Sequence, residues 1–340
     1  MDIRPTTART LRAFVPFKVA GALIGRLTRV GRRDPPPSTP ERRANGAGKT
    51  RHVRLISITA SNYVEKVRWS LDLLESHRDS PVYYTEDCHP PALHAFETVP
   101  ASGDRASQSP MIVTDDDLGA LWGSDAILRE LCSDPKTVDL YPEPVRGEVR
   151  DMEVELGERL GSTARCFGYY HLLDDSKRYY GAAAKFLTLH SPVVERKLFA
   201  GMLDRGLAEG MKQVMSVEEL GEASGREIRK VFEQLSQRLD SNGGEYLLGA
   251  EHGFTAADLS LAALSYFILR PPEMGPLLID ESEMPRELVE LGHDLRGTAA
   301  GKHALRMYRE HRPVVRSSDG TGEILIRRVN QDRLSLTSRL

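Results

Sequence analysis

The chain has 340 residues, of which 40% are apolar and 28% charged, and its formal net charge at pH 7 is −3. This length exceeds one average domain, and the composition is ordinary for a soluble protein. No run of about 18 uncharged apolar residues occurs, so the sequence predicts no membrane-spanning helix.

The charge is distributed unevenly along the chain. Residues 1–50 hold 11 Lys and Arg against 3 Asp and Glu, whereas the remaining residues hold 35 against 46. We expect this basic arm to contact an anionic surface such as membrane headgroups, and the acidic body argues against nucleic acid as the main partner. Leu23, Ile24 and Leu27 have the spacing of a short membrane-surface helix; a disordered arm is the favoured alternative.

Three cysteines, Cys88, Cys132 and Cys166, lie far apart and form no CxxC pair. The sequence therefore lacks the framework of a secreted disulfide scaffold and predicts a reducing, cytoplasmic setting. Cys88 is close to His89 and His94, but their spacing is not that of a metal site. We interpret these three residues as exposed loop positions and expect no metal.

A linker rich in Pro, Gly, Arg and Ser separates the basic arm from the folded part, at residues 33–49. Residues Ala47–Thr50 read AGKT and resemble the end of a phosphate-binding loop. The first glycine of such a loop would fall at Arg43, and no apolar strand precedes it. We therefore reject a phosphate loop and assign residues 1–50 to the arm.

The folded part begins with a strand, a helix and a second strand. VRLISI at residues 53–58 is a short β-branched run typical of a buried strand. Ser61 or Asn62 is the expected N-cap of a helix that continues through about Glu75. Residues 81–85 are the predicted second strand, with a right-handed crossover if the two strands are parallel.

A hairpin and a helix follow a loop rich in Pro, Ser and Gly. Met111–Thr114 is the predicted third strand, entered directly from Pro110, and residues 118–122 pair with it across an acidic turn. A helix begins near Ser124. This order of elements is the thioredoxin-like arrangement.

Helices dominate the rest of the chain, from Glu143 to about Arg312. Residues 226–239 form an amphipathic helix. Residues 255–269 are apolar nearly all round, which indicates a buried central helix, and Thr255 with Asp258 forms its capping box. The predicted divisions are a thioredoxin-like domain at 51–137, an all-helical domain at 138–314 and a tail at 315–340.

Four segments, taken in order, resemble the glutathione transferase superfamily over roughly residues 53–312. They are SNYVEKVRW at 61–69, SPMIV at 109–113, WGSDAILREL at 122–131 and YLLGAEHGFTAADLSLAAL at 246–264. They are similar to the family's Ser-Pro-Tyr helix opening, its cis-proline stretch, its Glu-Ser-Asp-Ala-Ile element and its capped central helix. The resemblance implies an α+β thioredoxin-like domain followed by an all-α helical domain.

The resemblance also implies that glutathione binds along the first domain and that a small electrophile lies between the two domains. Ser61 stands where the family places its activating Ser or Cys, and a hydroxyl at a helix N-terminus stabilises a thiolate. The alternative is that Ser61 only caps the helix. Thr59 and Tyr63 are further candidate donors, and Tyr63 is equally a packing residue.

Two more segments carry the other implied contacts to glutathione. A cis peptide bond before Pro110 would let the backbone at Ser109, Pro110 and Met111 face the cysteinyl part of the tripeptide. Ser124 is expected to bond the γ-glutamyl carboxylate and Asp125 the amino group. Ser and Asp are also common in helix caps, and the two roles coexist.

Three positions depart from the family pattern. Asn62 replaces a proline, Ser109 replaces an apolar residue, and Gly123 replaces an acidic residue. The family's customary Lys or Gln contact has Arg105 and Gln108 as candidates. These departures leave open the use of another low-molecular-weight thiol, or of none.

Five aromatic residues of the helical region either line an apolar substrate pocket or belong to the core. They are Phe167, Tyr169, Tyr170, Tyr179 and Tyr180.

The leading hypothesis is a cytoplasmic enzyme that transfers the thiol of glutathione to a small electrophile without a metal. The family resemblance implies a homodimer formed through the last helix of the first domain and the second domain. A glutathione-dependent reductase or lyase is a rival, although Ser rather than Cys at position 61 argues against thiol exchange. The alternative from another class is a non-catalytic binding or scaffolding protein, membrane-associated through the basic arm.

Overall fold

The computed structural model describes residues 51–80, 82–313, 315–316 and 322–323. The basic arm, with its AGKT segment, and most of the predicted tail lie outside the described residues. In the described ranges, no helix is long and apolar enough to cross a membrane.

Four strands form one mixed sheet with the order β2-β1-β3-β4. Strands β1 and β2 are parallel, and β3 is antiparallel to both of its neighbours, β1 and β4. A separate pair of two-residue strands lies near the end of the chain. The strands are β1, Arg51–Ser57; β2, Val82–Cys88; β3, Met111–Thr114; β4, Ala120–Trp122; β5, Val315–Arg316; and β6, Gly322–Glu323.

Twelve α-helices are found among the described residues. They are α1, Asn62–Ser76; α2, Ala95–Ala101; α3, Ser124–Leu131; α4, Arg146–Leu156; α5, Ser162–Leu172; α6, Tyr180–Leu187; α7, Val193–Met202; α8, Ala208–Val214; α9, Val217–Ser241; α10, Ala256–Leu269; α11, Arg286–Gly297; and α12, Ala299–His311. Short 3-10 helices span Glu143–Val145, Pro272–Leu277 and Glu281–Glu283, and π-helical turns span Gly157–Gly161 and Leu203–Leu207.

The predicted α+β thioredoxin-like region followed by an all-helical region is confirmed. The second strand is longer than predicted: β2 continues to Cys88 because it pairs with all seven residues of β1. Its polar residues Glu86 and Asp87 are buried, so they interrupt the apolar pattern without ending the strand. The loop predicted before Pro110 contains the short helix α2, and α9 begins at Val217, nine residues before the predicted segment.

Helix α10 lies at the centre of the helical region, as predicted, and all fourteen of its residues are buried. The capping box is confirmed: the Ala257 amide donates to Thr255 Oγ1 at 3.3 Å, and the Thr255 amide donates to Asp258 Oδ2 at 3.0 Å. Helix α10 packs against α1, which lies on the sheet. The first turn of α1 is therefore held between the sheet and the helical region.

Candidate functional site

The three segments singled out by the sequence meet at one edge of the sheet. Because β3 runs antiparallel to β1 and β4, its beginning lies at the edge where those two strands end. Ser61 follows the end of β1, Ser109 and Pro110 precede β3, and Ser124 follows the end of β4. The helices α1 and α3 both begin at this edge, so their N-terminal partial positive charges face the same space.

Ser61 is the N-cap residue of α1, but its side chain makes no capping hydrogen bond. The Ser61 hydroxyl is half-buried and bonds to no other described residue. The loop before it is held from the helical region, because the Tyr266 hydroxyl donates to the carbonyl of Ala60 at 2.9 Å. The backbone just before Ser61 is thus held in place by a contact from the helical region.

Asn62, which stands in place of the family's proline, joins α1 to the helical region. Its buried side-chain amide donates to the carbonyls of Gly161 and Leu264, both at 3.0 Å. Gly161 ends the π-helical turn between α4 and α5. Asn62 thus links the first turn of α1 to this π-helical turn and to α10, a role that sequence reasoning missed because the partners are remote in the chain.

The peptide bond between Ser109 and Pro110 is cis, which confirms the implied geometry. Ser109 Oγ accepts a hydrogen bond from the Ile58 amide at 3.1 Å, so this serine fastens the start of β3 to the loop that leads to Ser61. The Gly123 amide donates to the carbonyl of Pro110 at 3.2 Å. Met111 is buried and lies opposite Ile56 in the sheet.

Ser124 and Asp125 open helix α3, and their side chains are linked by a hydrogen bond of 3.2 Å. Asp125 Oδ1 also accepts from the Lys66 ammonium at 2.6 Å. Lys66 is fully buried and donates in addition to Glu153 Oε1 on α4 at 3.1 Å. Burial raises the pKa of Glu153, and the charge of Lys66 opposes that rise.

Asp125 therefore belongs to a largely buried ion network with Lys66, Arg129 and Glu153, and the Tyr141 hydroxyl donates to Glu153. The side chain of Asp125 is 29% exposed, so its carboxylate is not enclosed by the network. Sequence reasoning named Asp125 but missed the other members. Lys66 lies in a helix whose pattern gives no sign that it is buried.

Tyr63 and Thr59, the two further candidate donors to the thiolate, differ from Ser61 in their surroundings. The Tyr63 hydroxyl donates to the carbonyl of Gly157 at 2.6 Å, and burial raises its pKa, which keeps it protonated. This contact fits the packing interpretation of Tyr63. Thr59 is buried. Of the candidates for the family's Lys or Gln contact, Arg105 lies over the ring of Trp122 and Gln108 is exposed.

The interpretation of Cys88 and His89 as exposed loop residues is wrong, because both are buried at the end of β2. Burial raises the pKa of the Cys88 thiol to about 12, which leaves it uncharged and unreactive at neutral pH. His89 binds Glu195 of helix α7 at 2.9 Å and Asp87 at 3.2 Å. No cluster of three or more metal-binding side chains occurs among the described residues.

Three of the five aromatic residues, Phe167, Tyr170 and Tyr179, line a cleft of about 990 Å³ within the helical region. The cleft includes none of the residues at the sheet edge. Tyr169 does not line it and instead shares a helix face with Arg165.

No protein-family model and no curated protein matches the chain. Among solved structures, the chain is similar to a glutathione S-transferase of Ceriporiopsis subvermispora in complex with glutathione: 15% identity, 79% of this chain and 100% of that one covered, TM-score 0.51. It is also similar to a maleylacetoacetate isomerase of Anaeromyxobacter dehalogenans with bound glutathione, at 19% identity, 78% and 100% coverage and a TM-score of 0.37. A beta-etherase of a Sphingobium species is 16% identical, with 76% of this chain and 99% of that one covered and a TM-score of 0.41. At these identities the first likeness supports the glutathione transferase fold alone.

Proposed function

We propose that the chain binds glutathione at the sheet edge and that Ser61 activates its thiol for attack on a small electrophile. The observation that carries this proposal is the Ser61 hydroxyl at the N-terminus of α1, which bonds to no other described residue and lies on the edge where Ser109 and Ser124 also lie. In this arrangement the backbone beside Pro110 takes the cysteinyl part of the tripeptide. Ser124 takes the γ-glutamyl carboxylate, and the exposed part of Asp125 takes the amino group.

The chemistry follows from the helix terminus and the hydroxyl. The partial positive charge at the start of α1 and a hydrogen bond from Ser61 both favour a thiolate, and each unit by which the thiol pKa falls corresponds to about 1.4 kcal/mol. The thiolate attacks an electrophilic carbon, and a carbon–sulfur bond forms while the leaving group departs with its bonding electrons. The thiol proton goes to solvent.

Conjugation of glutathione to 1-chloro-2,4-dinitrobenzene tests this role of Ser61. We expect Ser61→Ala to lower kcat/KM about 100-fold, the effect typical of losing one donor to a developing or bound anion. Ser80→Ala is the matched control, because Ser80 precedes β2 at the opposite edge of the sheet, where its hydroxyl accepts from the Val82 amide. An unchanged rate in Ser61→Ala removes Ser61 from the mechanism.

The same assay distinguishes the enzyme from a non-catalytic binding protein. Saturable glutathione binding without conjugation of any electrophile would favour the binding or scaffolding alternative. Recruitment to membranes by the basic arm is a separate proposal. It predicts that flotation with anionic vesicles requires residues 1–50.

A further inference from the structure

Arg165 on helix α5 is a half-buried arginine whose charge is not neutralised within the described part of the chain. Its guanidinium carbon lies 5.5 Å from the ring centre of Tyr63. Its Nε is buried and has no hydrogen-bond partner among the described residues, and it forms no ion pair with them. Leaving such a donor buried and unbonded costs about 1–3 kcal/mol.

Two other buried arginines at the boundary between the sheet and the helices each bind two carboxylates, although Arg312 Nη2, like Arg165 Nε, has no hydrogen-bond partner among the described residues. Arg68 binds Glu65 and Glu86, and Arg312 binds Glu65 and Asp72, all within 2.8 Å. The fold therefore supplies carboxylates to arginines at this boundary. Arg165 differs from them in having no carboxylate partner among the described residues, so its guanidinium is open to a bound anion.

Arg165 contacts the first turn of α1, the helix whose N-cap is the proposed activating residue Ser61. Tyr63, over which it stacks, lies in the first turn of α1, two residues after Ser61. Tyr169 follows Arg165 by one helical turn on the same face of α5. Its hydroxyl makes no hydrogen bond with any described residue. A cation that lies over the Tyr63 ring and one helical turn from Tyr169 suits a flat aromatic ligand with a negative charge.

The two nearby carboxylates, Asp125 and Glu158, do not pair with Arg165. Asp125 and Glu158 are close enough to raise the pKa of Tyr63, but burial is the larger cause. Asp125 pairs with Lys66 at 2.6 Å and forms no ion pair with Arg165. Glu158 is exposed and forms no ion pair with Arg165. The planar fork of a guanidinium matches a carboxylate with two parallel hydrogen bonds.

We propose that Arg165 binds the carboxylate of the electrophile, so that the second substrate is an aromatic compound bearing a carboxylate group. This inference rests on the proposed glutathione transfer at Ser61. For a chloronitrobenzoate, the glutathione sulfur forms a bond to the ring carbon. The bond from that carbon to chlorine breaks, and chloride leaves with the electron pair. Arg165 positions the ring through the carboxylate and takes no part in the bond changes.

The test compares 4-chloro-3-nitrobenzoate with its neutral amide, 4-chloro-3-nitrobenzamide, each rate being divided by its uncatalysed rate with glutathione. In Arg165→Gln we expect kcat/KM for the benzoate to fall about 10- to 100-fold and that for the benzamide to change less than about twofold. Arg165→Lys should restore part of the loss. The matched control is Arg178→Gln, because Arg178 also lies over a tyrosine, Tyr179, at 5.3 Å.

The outcomes separate the two proposals. Equal effects of Arg165→Gln on benzoate and benzamide overturn the inference while glutathione transfer stands. Arg165→Gln could instead raise the KM for glutathione with both electrophiles and leave the ratio of kcat/KM for benzoate to that for benzamide unchanged. That result would assign Arg165 to a carboxylate of glutathione and would also overturn the inference. If the wild-type protein conjugates 1-chloro-2,4-dinitrobenzene but neither of these compounds, the inference fails and glutathione transfer stands. If it conjugates none of the three, both proposals fail.

A measurement on the wild-type protein covers the case in which Arg165→Gln does not fold. We expect 4-nitrobenzoate to inhibit conjugation of the benzamide competitively and at least tenfold more tightly than 4-nitrobenzamide does. Equal inhibition by the two compounds overturns the proposal.

Discussion

Two buried ion networks on helix α1 differ in whether they reach the candidate site. The closed network consists of Glu65, Arg68, Asp72, Glu86 and Arg312. The side chains of these residues are buried, with at most 12% exposed. The open network consists of Lys66, Arg129, Asp125 and Glu153, and its Asp125 and Arg129 side chains are 29% and 37% exposed.

This difference in exposure indicates that the closed network only stabilises the fold, whereas the open network also affects ligand binding. Lys66 and Arg68 are two residues apart on α1, so they point to different sides of the helix. The closed network joins the end of the helical region to the sheet and leaves no carboxylate for a ligand. The open network joins the same two regions, but one of its carboxylates remains accessible. We therefore expect changes in the first network to alter stability and changes in the second to alter ligand affinity as well.

The largest expected effect is the loss of Arg312 from the closed network. Arg312→Ala leaves Asp72 buried without its cation, and we expect the free energy of unfolding in urea to fall by about 3–5 kcal/mol. Arg309→Ala is the control, because Arg309 lies three residues earlier and its side chain is 65% exposed. A loss below about 1 kcal/mol in Arg312→Ala would contradict the structural role.

The next effect distinguishes the networks directly. Asp125→Asn removes the charge proposed to bind the amino group of glutathione, and we expect about tenfold weaker binding by calorimetry. Asp72→Asn, the matched change in the closed network, should lower stability and leave glutathione affinity unchanged. Equal glutathione affinities in the two variants would remove the distinction between the networks.

The smallest expected effect concerns a third buried contact, between His89 and Glu195. Burial lowers the pKa of His89, but hydrogen bonds with Asp87 and Glu195 outweigh it and raise that pKa from 6.5 to about 10. Stability from a raised histidine pKa is fully present below pH 6.5 and is lost as the pH rises through about 10. We expect Glu195→Gln to lower the unfolding free energy by about 1 kcal/mol at pH 6.5, and the difference from wild type to vanish above pH 10. A difference independent of pH would show that His89 is not charged.

Much of the fold was predictable because it depends on local patterns. The β-branched run of β1, the apolar steps of α1 and the capping box of α10 each lie within one segment of the sequence. The positions of Ser61, Ser109 and Ser124 at the ends of predicted strands were also readable from the sequence. The strand directions in the structure then place all three at the same edge of the sheet. The division at residue 137 and the roles of the site residues stay predictions.

The parts that were missed depend on partners remote in the chain. Asn62 binds carbonyls that lie 99 and 202 residues away, and Arg312 binds Glu65 across 247 residues. No periodic pattern signals such contacts. The burial of His89 was missed for the same reason, because its partner Glu195 lies in a helix that follows 106 residues later.

Calorimetric titration with glutathione tests the central claim most directly, since every site assignment depends on that ligand. The account predicts saturable binding that weakens about tenfold in Ser124→Ala, through loss of one hydrogen bond to a charged group, and that is unchanged in Ser80→Ala. No binding at millimolar glutathione, or equal binding in wild type and Ser124→Ala, would contradict it.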